Sequence, residues 1–436
     1  MTRRLRILRM ALFQFGFGLT SVMVLGVLNR VMFAELGLSA MLIGFLLAIP
    51  SIISPVRLWL GYLSDSHPLL GRRRTPYILA GTILAATGVF GGAWGALSIP
   101  RIGAGGVLIA TVAFLTYGMG KNAMATAFQA LIADVFDRQQ RPQATAVLQA
   151  AFILGIVGGS VGLGRVLDPY SPDRLLALVA AVGVLAVVLA ALGCIGIEPV
   201  GKTVEAMSHR AGSVPFAQTL KKTFQNRQAR LFFFFVGATL LATLSQDVYL
   251  EPYGAKLLHM SVGETARLNM FWGVGTLGAL LASGMWLVGR LGRKRATSVG
   301  LVIVAFSFVG LILSGAMGSQ NMFMMLVGVL GIGSGISGAG AMTLMVDFTK
   351  PEQAGLLMGA WTLAHQLAEV AGNIMGGAVI DTVFASSGSY LAAFGTVFGL
   401  EILAALLALS LLSRISVATF LSAEPDSVEA SYATIA

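Results

Sequence analysis

The sequence predicts an all-α integral membrane protein of twelve transmembrane helices, arranged as two pseudo-symmetric six-helix bundles. Three observations predict it: composition, the length of the apolar runs, and an internal repeat. Apolar residues make up 56% of the 436-residue chain and charged residues 11%, with a mean hydropathy of +0.84. Soluble domains carry about a quarter charged residues. Charge-free windows such as Tyr77 to Pro100 and Leu301 to Gly318 are about as long as the ~20 residues a helix needs to cross the hydrocarbon core. Lipid offers backbone groups no partner, so such runs are helices or barrel strands, and the alternating pattern of a barrel is absent.

Spans are expected at roughly 8–35, 40–63, 77–98, 105–133, 144–167, 174–196, 231–256, 265–289, 296–316, 321–346, 354–381 and 389–412. The first stretch is too long, and lacks the small-residue site, for a cleavable signal peptide. Polar residues 197–228 form the longest break. They divide the chain into an N-terminal bundle (1–196), a cytoplasmic linker (197–228), a C-terminal bundle (229–413) and a flexible, acidic cytoplasmic tail (414–436).

A gapless shift of 213 positions superposes Gly118, Gly120, Leu131, Asp134, Gly159, Gly164 and Asp168 on Gly331, Gly333, Leu344, Asp347, Gly372, Gly377 and Asp381. Likewise Leu36-Gly-Leu-Ser39 answers Leu258-His-Met-Ser261. Six plus six repeated helices define the major facilitator architecture, in which two halves rock about a central site. An even number of spans puts both termini on one side. By count about 21 of the 29 Lys and Arg residues fall there, which makes it the cytoplasmic side. The net charge of +10 therefore reports orientation and contact with anionic lipid, with no nucleic acid implied. The lone Cys194 excludes a disulfide framework.

Charged and polar residues near the membrane fall into three groups. At the cytoplasmic end, Gly61-Tyr-Leu-Ser-Asp65 and Gly71-Arg72-Arg73-Arg74 resemble the facilitator loop signature. Gly61 would let helices approach, while Asp65 would accept from a helix start and pair with the arginines. The second half keeps only the basic cluster 290–295, so a lopsided latch is expected, with Asp134 and Asp347 as the acids nearest each cluster. The alternative is ordinary membrane-edge charge.

At the outer end, Asn29, Arg30 and Glu35 on helix 1 lie at the depth of Gln246, Asp247 and Glu251 on helix 7. Intramembrane charges cost roughly 2.5–3.5 kcal/mol at a helix centre and call for partners. A periplasmic gate or platform held by Arg30 with Glu251 or Asp247 is one reading; a static pair orienting two helices is the other. In the interior, Lys121 and Asn122 face no charged counterpart in the repeat, where Ser334 stands. Lys121 either contacts a ligand, snorkels, or pairs with an acid.

His365 and Glu369 lie one helical turn apart, where the repeat has Phe152 and Ile156. A neutral imidazole can ligate a metal, and Glu369 can bond a ligand carbonyl as the acid. The competing reading is a buried His–Glu pair that satisfies itself.

Within the facilitator architecture, three motifs carry a closer resemblance. They are Leu28-Asn29-Arg30-Val31-Met32 with Glu35-Leu36; Ser54-Pro55-x-Arg57 with Gly61-Tyr62-x-Ser64-Asp65 and Arg73-x-Thr75-Pro76-Tyr77; and Gln246-Asp247-Val248-x-Leu250-Glu251-Pro252-Tyr253-Gly254. On these the chain resembles the PucC/LhaA bacteriochlorophyll-delivery family. The resemblance implies a factor that assembles light-harvesting antennae in a photosynthetic inner membrane, delivering (bacterio)chlorophyll or organising antenna apoproteins. Its expected partners are lipid, antenna or reaction-centre polypeptides and pigment-synthesis enzymes. It implies no resident cofactor beyond carried bacteriochlorophyll, whose Mg would be the only metal, at His365. The alternative is an ion-coupled solute or drug carrier. Catalysis is not expected: the acids are scattered singly, without the aspartate cluster that holds Mg²⁺ on a diphosphate, and no phosphate-binding loop follows a strand.

Overall fold

The structure is a computed structural model, describing residues 2–69, 71–137, 140–198, 227–244, 246–348, 354–417 and 419. Among the described residues there is no strand, and eleven helices are long and apolar enough to span a membrane. In chain order they are α1 (Arg3–Glu35), α3 (Thr75–Ile102), α4 (Ala104–Val135), α5 (Arg141–Val166), α6 (Pro172–Cys194), α7 (Arg227–Leu257), α8 (Val262–Leu291), α9 (Arg293–Ala316), α10 (Gln320–Asp347), α11 (Ala354–Ser387) and α12 (Tyr390–Arg414). Between the first two lies α2, made of two pieces, Ala40–Ile52 and Val56–Ser66.

The break in α2, expected as one helix over 40–63, has a local cause. Pro50 and Pro55 lack N–H donors, so the ladder fails and Ser54 N–H turns back to Ser51 O at 3.2 Å. The Pro50 carbonyl then finds a partner on α4, the Asn122 amide, at 2.9 Å.

Helix α1 is also irregular, with π turns at Met23–Leu28 and Val31–Glu35. Below them α1 packs on α5 and α6; along them it meets α7. Between the two π turns sits the buried pair Asn29 and Arg30.

Of the helices that start at the end away from the termini, all but α4, which begins on Gly103, begin on serine. Ser39, Ser171, Ser261, Ser319 and Ser389 each accept a backbone N–H three residues on, satisfying donors that a helix start leaves open.

Packing reproduces the repeat. In the first bundle α1 touches α5 and α6, α3 touches α4 and α6, and α2 touches α4; in the second, α7 touches α11 and α12, α9 touches α10 and α12, and α8 touches α10. The bundles meet where α2 crosses α11 and α5 crosses α8. These are again one contact and its repeat image. Gly44 is obligatory at the first crossing, because a Cβ there would stand 2.0 Å from the Asn373 carbonyl oxygen.

Candidate functional site

The bonds between the bundles gather at the end away from the termini, called outer here. Asn29 donates to Val248 O at 2.7 Å, Arg30 to Met260 O at 3.2 Å and Lys256 to Ala34 O at 3.3 Å. Two aspartates add a matched set. Asp381 on α11 accepts the N–H groups of Ala40 and Met41 at the start of α2, at 2.9 and 2.8 Å. Its repeat image Asp168, just past α5, accepts the hydroxyl of Ser261 at the start of α8, at 2.7 Å. Each half thus caps a helix of the other, with an anion at a helix N-terminus where the dipole favours it.

Here the expected pairing of Arg30 with Glu251 or Asp247 is corrected in one part: Arg30 acts on Glu251 only through space, without a direct ion pair. Arg30 pairs with Glu35 on its own helix, at 2.6 Å, because the π turn brings residues five apart together. Glu251, 3% exposed, accepts from Asn269 on α8, and its other oxygen has no hydrogen-bond partner among the described residues. Gly26 makes the room, since a Cβ there would lie 2.6 Å from Glu251 Oε1. The side chains of Gln246 and Asp247 lie outside the described residues.

Deeper in, four of the sequence-singled residues converge between the bundles. From the N-terminal bundle, Arg57 Nε donates to Asn122 Oδ1 at 2.6 Å, and Lys121 stands beside Asn122, half-buried. From α11 come His365 and Glu369, and both Arg57 and Lys121 are near enough to His365 to act on it electrostatically. His365 and Glu369 do not satisfy one another: Nδ1 and Oε2 are 3.9 Å apart, beyond hydrogen-bond range. The self-satisfying pair is therefore corrected. Along one helix face two shorter side chains point the same way, and the imidazole is left with Nδ1 unpartnered among the described residues and its side chain 43% exposed.

At the inner end, Asp134 holds Arg74 at 3.0 Å and Arg73 at 3.7 Å, and Arg74 also donates to Ser64 Oγ at 2.6 Å. Arg72 contributes its backbone, in a bridge to Leu69. Gly61 is corrected as a close-approach residue, because an added Cβ would meet only Thr126 Cγ2 at 3.7 Å. The side chains of Asp65 and Asp347, like most of linker 197–228 and tail 414–436, lie outside the described residues.

Glu198 was not anticipated. Its carboxylate accepts the N–H groups of Arg73, Arg74 and Thr75 at 2.5, 2.9 and 2.9 Å and the Thr75 hydroxyl at 2.9 Å. Burial pushes this carboxyl up, but the four donors outweigh burial and hold it below the ordinary carboxylate value. It anchors the start of α3 and so aims Arg74 at Asp134.

Two repeat-related bundles closed at one end over an interior polar layer define a multi-pass membrane protein of the major facilitator architecture. A solved bacterial homologue of the iron transporter ferroportin has the same fold, with a TM-score of 0.72 at 13% identity over 95% of this chain and 99% of that one. Within that class the chain belongs to the PUCC protein family, whose family model matches residues 27–420. It is 30% identical over 429 residues to Protein PucC of Rhodobacter capsulatus, covering 93% of this chain and 91% of that one. It is 29% identical over 406 residues to the Bacteriochlorophyll synthase 44.5 kDa chain of the same species, covering 92% of each.

Proposed function

We propose that the chain is an assembly factor for light-harvesting antennae, holding (bacterio)chlorophyll between its bundles and presenting it to antenna or reaction-centre polypeptides. The observation that carries this reading is the family match over residues 27–420, which includes the α1, α2 and α7 motifs. It works in the photosynthetic inner membrane with both termini cytoplasmic, beside pigment-synthesis enzymes, and it is not itself an enzyme. His365 suits the pigment: Nδ1 is buried beside Glu369, yet the side chain is 43% exposed, which leaves Nε2 as the available ligand. Bound there, the pigment's Mg would supply a Lewis-acid seat for that nitrogen, and Glu369, one helical turn away, would orient the pigment's edge.

The test is purification from native membranes with absorbance and identification of what accompanies the protein. Parent protein carrying pigment and antenna polypeptides is the expected result. His365→Leu should insert normally and lose the pigment absorbance. An unchanged pigment complement removes His365 from the site.

A second reading, an ion-coupled carrier, is favoured by Glu369, a carboxylate in the interior layer of a transporter fold. Substrate-driven proton flux in vesicles, without bound pigment, would establish it instead.

A further inference from the structure

The two pieces of α2 present one continuous face to two different surroundings. Pro50, Ile53, Arg57 and Gly61 all turn to α4, where they meet Asn122, Gly118 and Thr126. Helical spacing therefore runs through the break, and both pieces keep one rotational phase. On the opposite side Gly44 is sealed against Asn373 of α11. Tyr62 follows Gly44 by 18 residues, about five full turns, and Trp59 stands about a sixth of a turn from the same line. Tyr62 is nevertheless 66% exposed and Trp59 55%. The outer piece runs along α11, whereas the inner piece packs on α4. The face of α2 that is closed on α11 in the outer half is thus open in the inner half.

Helix α11 supplies the other wall. Gln366 and Thr362 precede Asn373 by 7 and 11 residues, about two and three turns, so they continue the face that meets Gly44. Gln366 is half-buried and Thr362 exposed. His365, next to Gln366, borders this face, and Arg57, two residues before Trp59, acts on it electrostatically. A wedge between the inner halves of α2 and α11 therefore leads from membrane-exposed aromatic side chains to the candidate pigment ligand. An esterified chlorin joins a flat ring to a long alkyl chain, and an interior lined by Arg57, Lys121 and Glu369 is a poor solvent for that chain. Resting on the pigment reading above, we propose that the wedge is a side portal for the pigment's alkyl tail. The ring lies between the bundles at His365, and the tail passes between Trp59 and Tyr62 on one wall and Thr362 on the other into the bilayer. The two aromatic side chains offer it broad, rigid apolar surface. The pigment then enters and leaves sideways, its tail staying in hydrocarbon throughout, and the outer end need not open.

The experiment uses the full chain in lipid nanodiscs, titrated with bacteriochlorophyll and with bacteriochlorophyllide methyl ester, which differ only in the esterified chain; pigment fluorescence reports binding. A tail that rests in hydrocarbon before and after binding adds nothing to affinity, so the parent should bind the two alike. Trp59→Glu sets a carboxylate in the tail's path and should weaken the long ester about tenfold or more, with the methyl ester unchanged. A long ester carrying a diazirine midway along its chain should, on illumination, label the parent within 59–62 or 362–366, a measurement independent of how the variant folds. Parent-like binding of both esters by Trp59→Glu overturns the inference and leaves the pigment reading standing. Labelling confined to other positions also overturns it. Binding of neither ester by the parent overturns both.

Discussion

Glu198 shows how much one carboxylate can organise. Four donors from three successive residues converge on it, so Glu198→Ala strips the first turn of α3 of its acceptors and frees Arg74 to drift from Asp134. A loss of about 2 kcal/mol is expected from buried donors left unpaired, read as a lower melting temperature in detergent. Because the carboxyl is held low in the folded state, its contribution is complete above the unfolded value of about 4.3 and disappears as pH falls through the lower folded value. The gap in melting temperature between parent and variant should therefore close on acidification, and a gap independent of pH would contradict the assignment. Asp134 was legible because the repeat and the arginine cluster both pointed to it. Glu198 was not, since it follows an apolar helix as any linker charge would, and its partners lie more than 120 residues earlier in the chain.

At the scale of elements, the helices themselves were legible from apolar length, and the serine starts of α2 and α8 were visible as a repeated tetrapeptide. What the linear pattern hid was irregularity. Pro50 and Pro55 mark the break in α2, but which carbonyl it frees, and that Asn122 takes it, depends on α4. The π turns of α1 leave no compositional trace. Asp168 and Asp381 were visible only as markers of the repeat; packing shows that they cap helices of the opposite bundle. Replacing both with alanine should remove charge-assisted bonds contributing about 1.5–3 kcal/mol at each cap. Spin labels on the outer ends of α2 and α11 should then report longer and broader distances than in the parent. An unchanged distribution would show that the apolar crossings alone hold the outer end.

For the whole molecule, the bundle plan followed from the repeat, because homologous halves must pack alike and meet through symmetric seams. The site was legible by residue type more than by pairing: Lys121, Asn122, His365 and Glu369 do converge, whereas Arg30 turned to its own helix. The concentration of inter-bundle bonds at one end sets the resting population of the molecule. Among the described residues six such bonds tie the outer end, from Asn29, Arg30, Ala40, Met41, Lys256 and Ser261. At about 0.5–1.5 kcal/mol for the neutral Asn29 bond and about 1.5–3 kcal/mol for Arg30, for Lys256 and for each aspartate cap, they amount to roughly 6–14 kcal/mol. Inverting a 99:1 equilibrium takes about 5.5 kcal/mol of differential binding, and micromolar affinity totals only about 8 kcal/mol. A cargo of ordinary affinity would have to direct most of its binding free energy to that one task. On the pigment reading proposed above, the protein is accordingly biased toward this state and exchanges its pigment through one face.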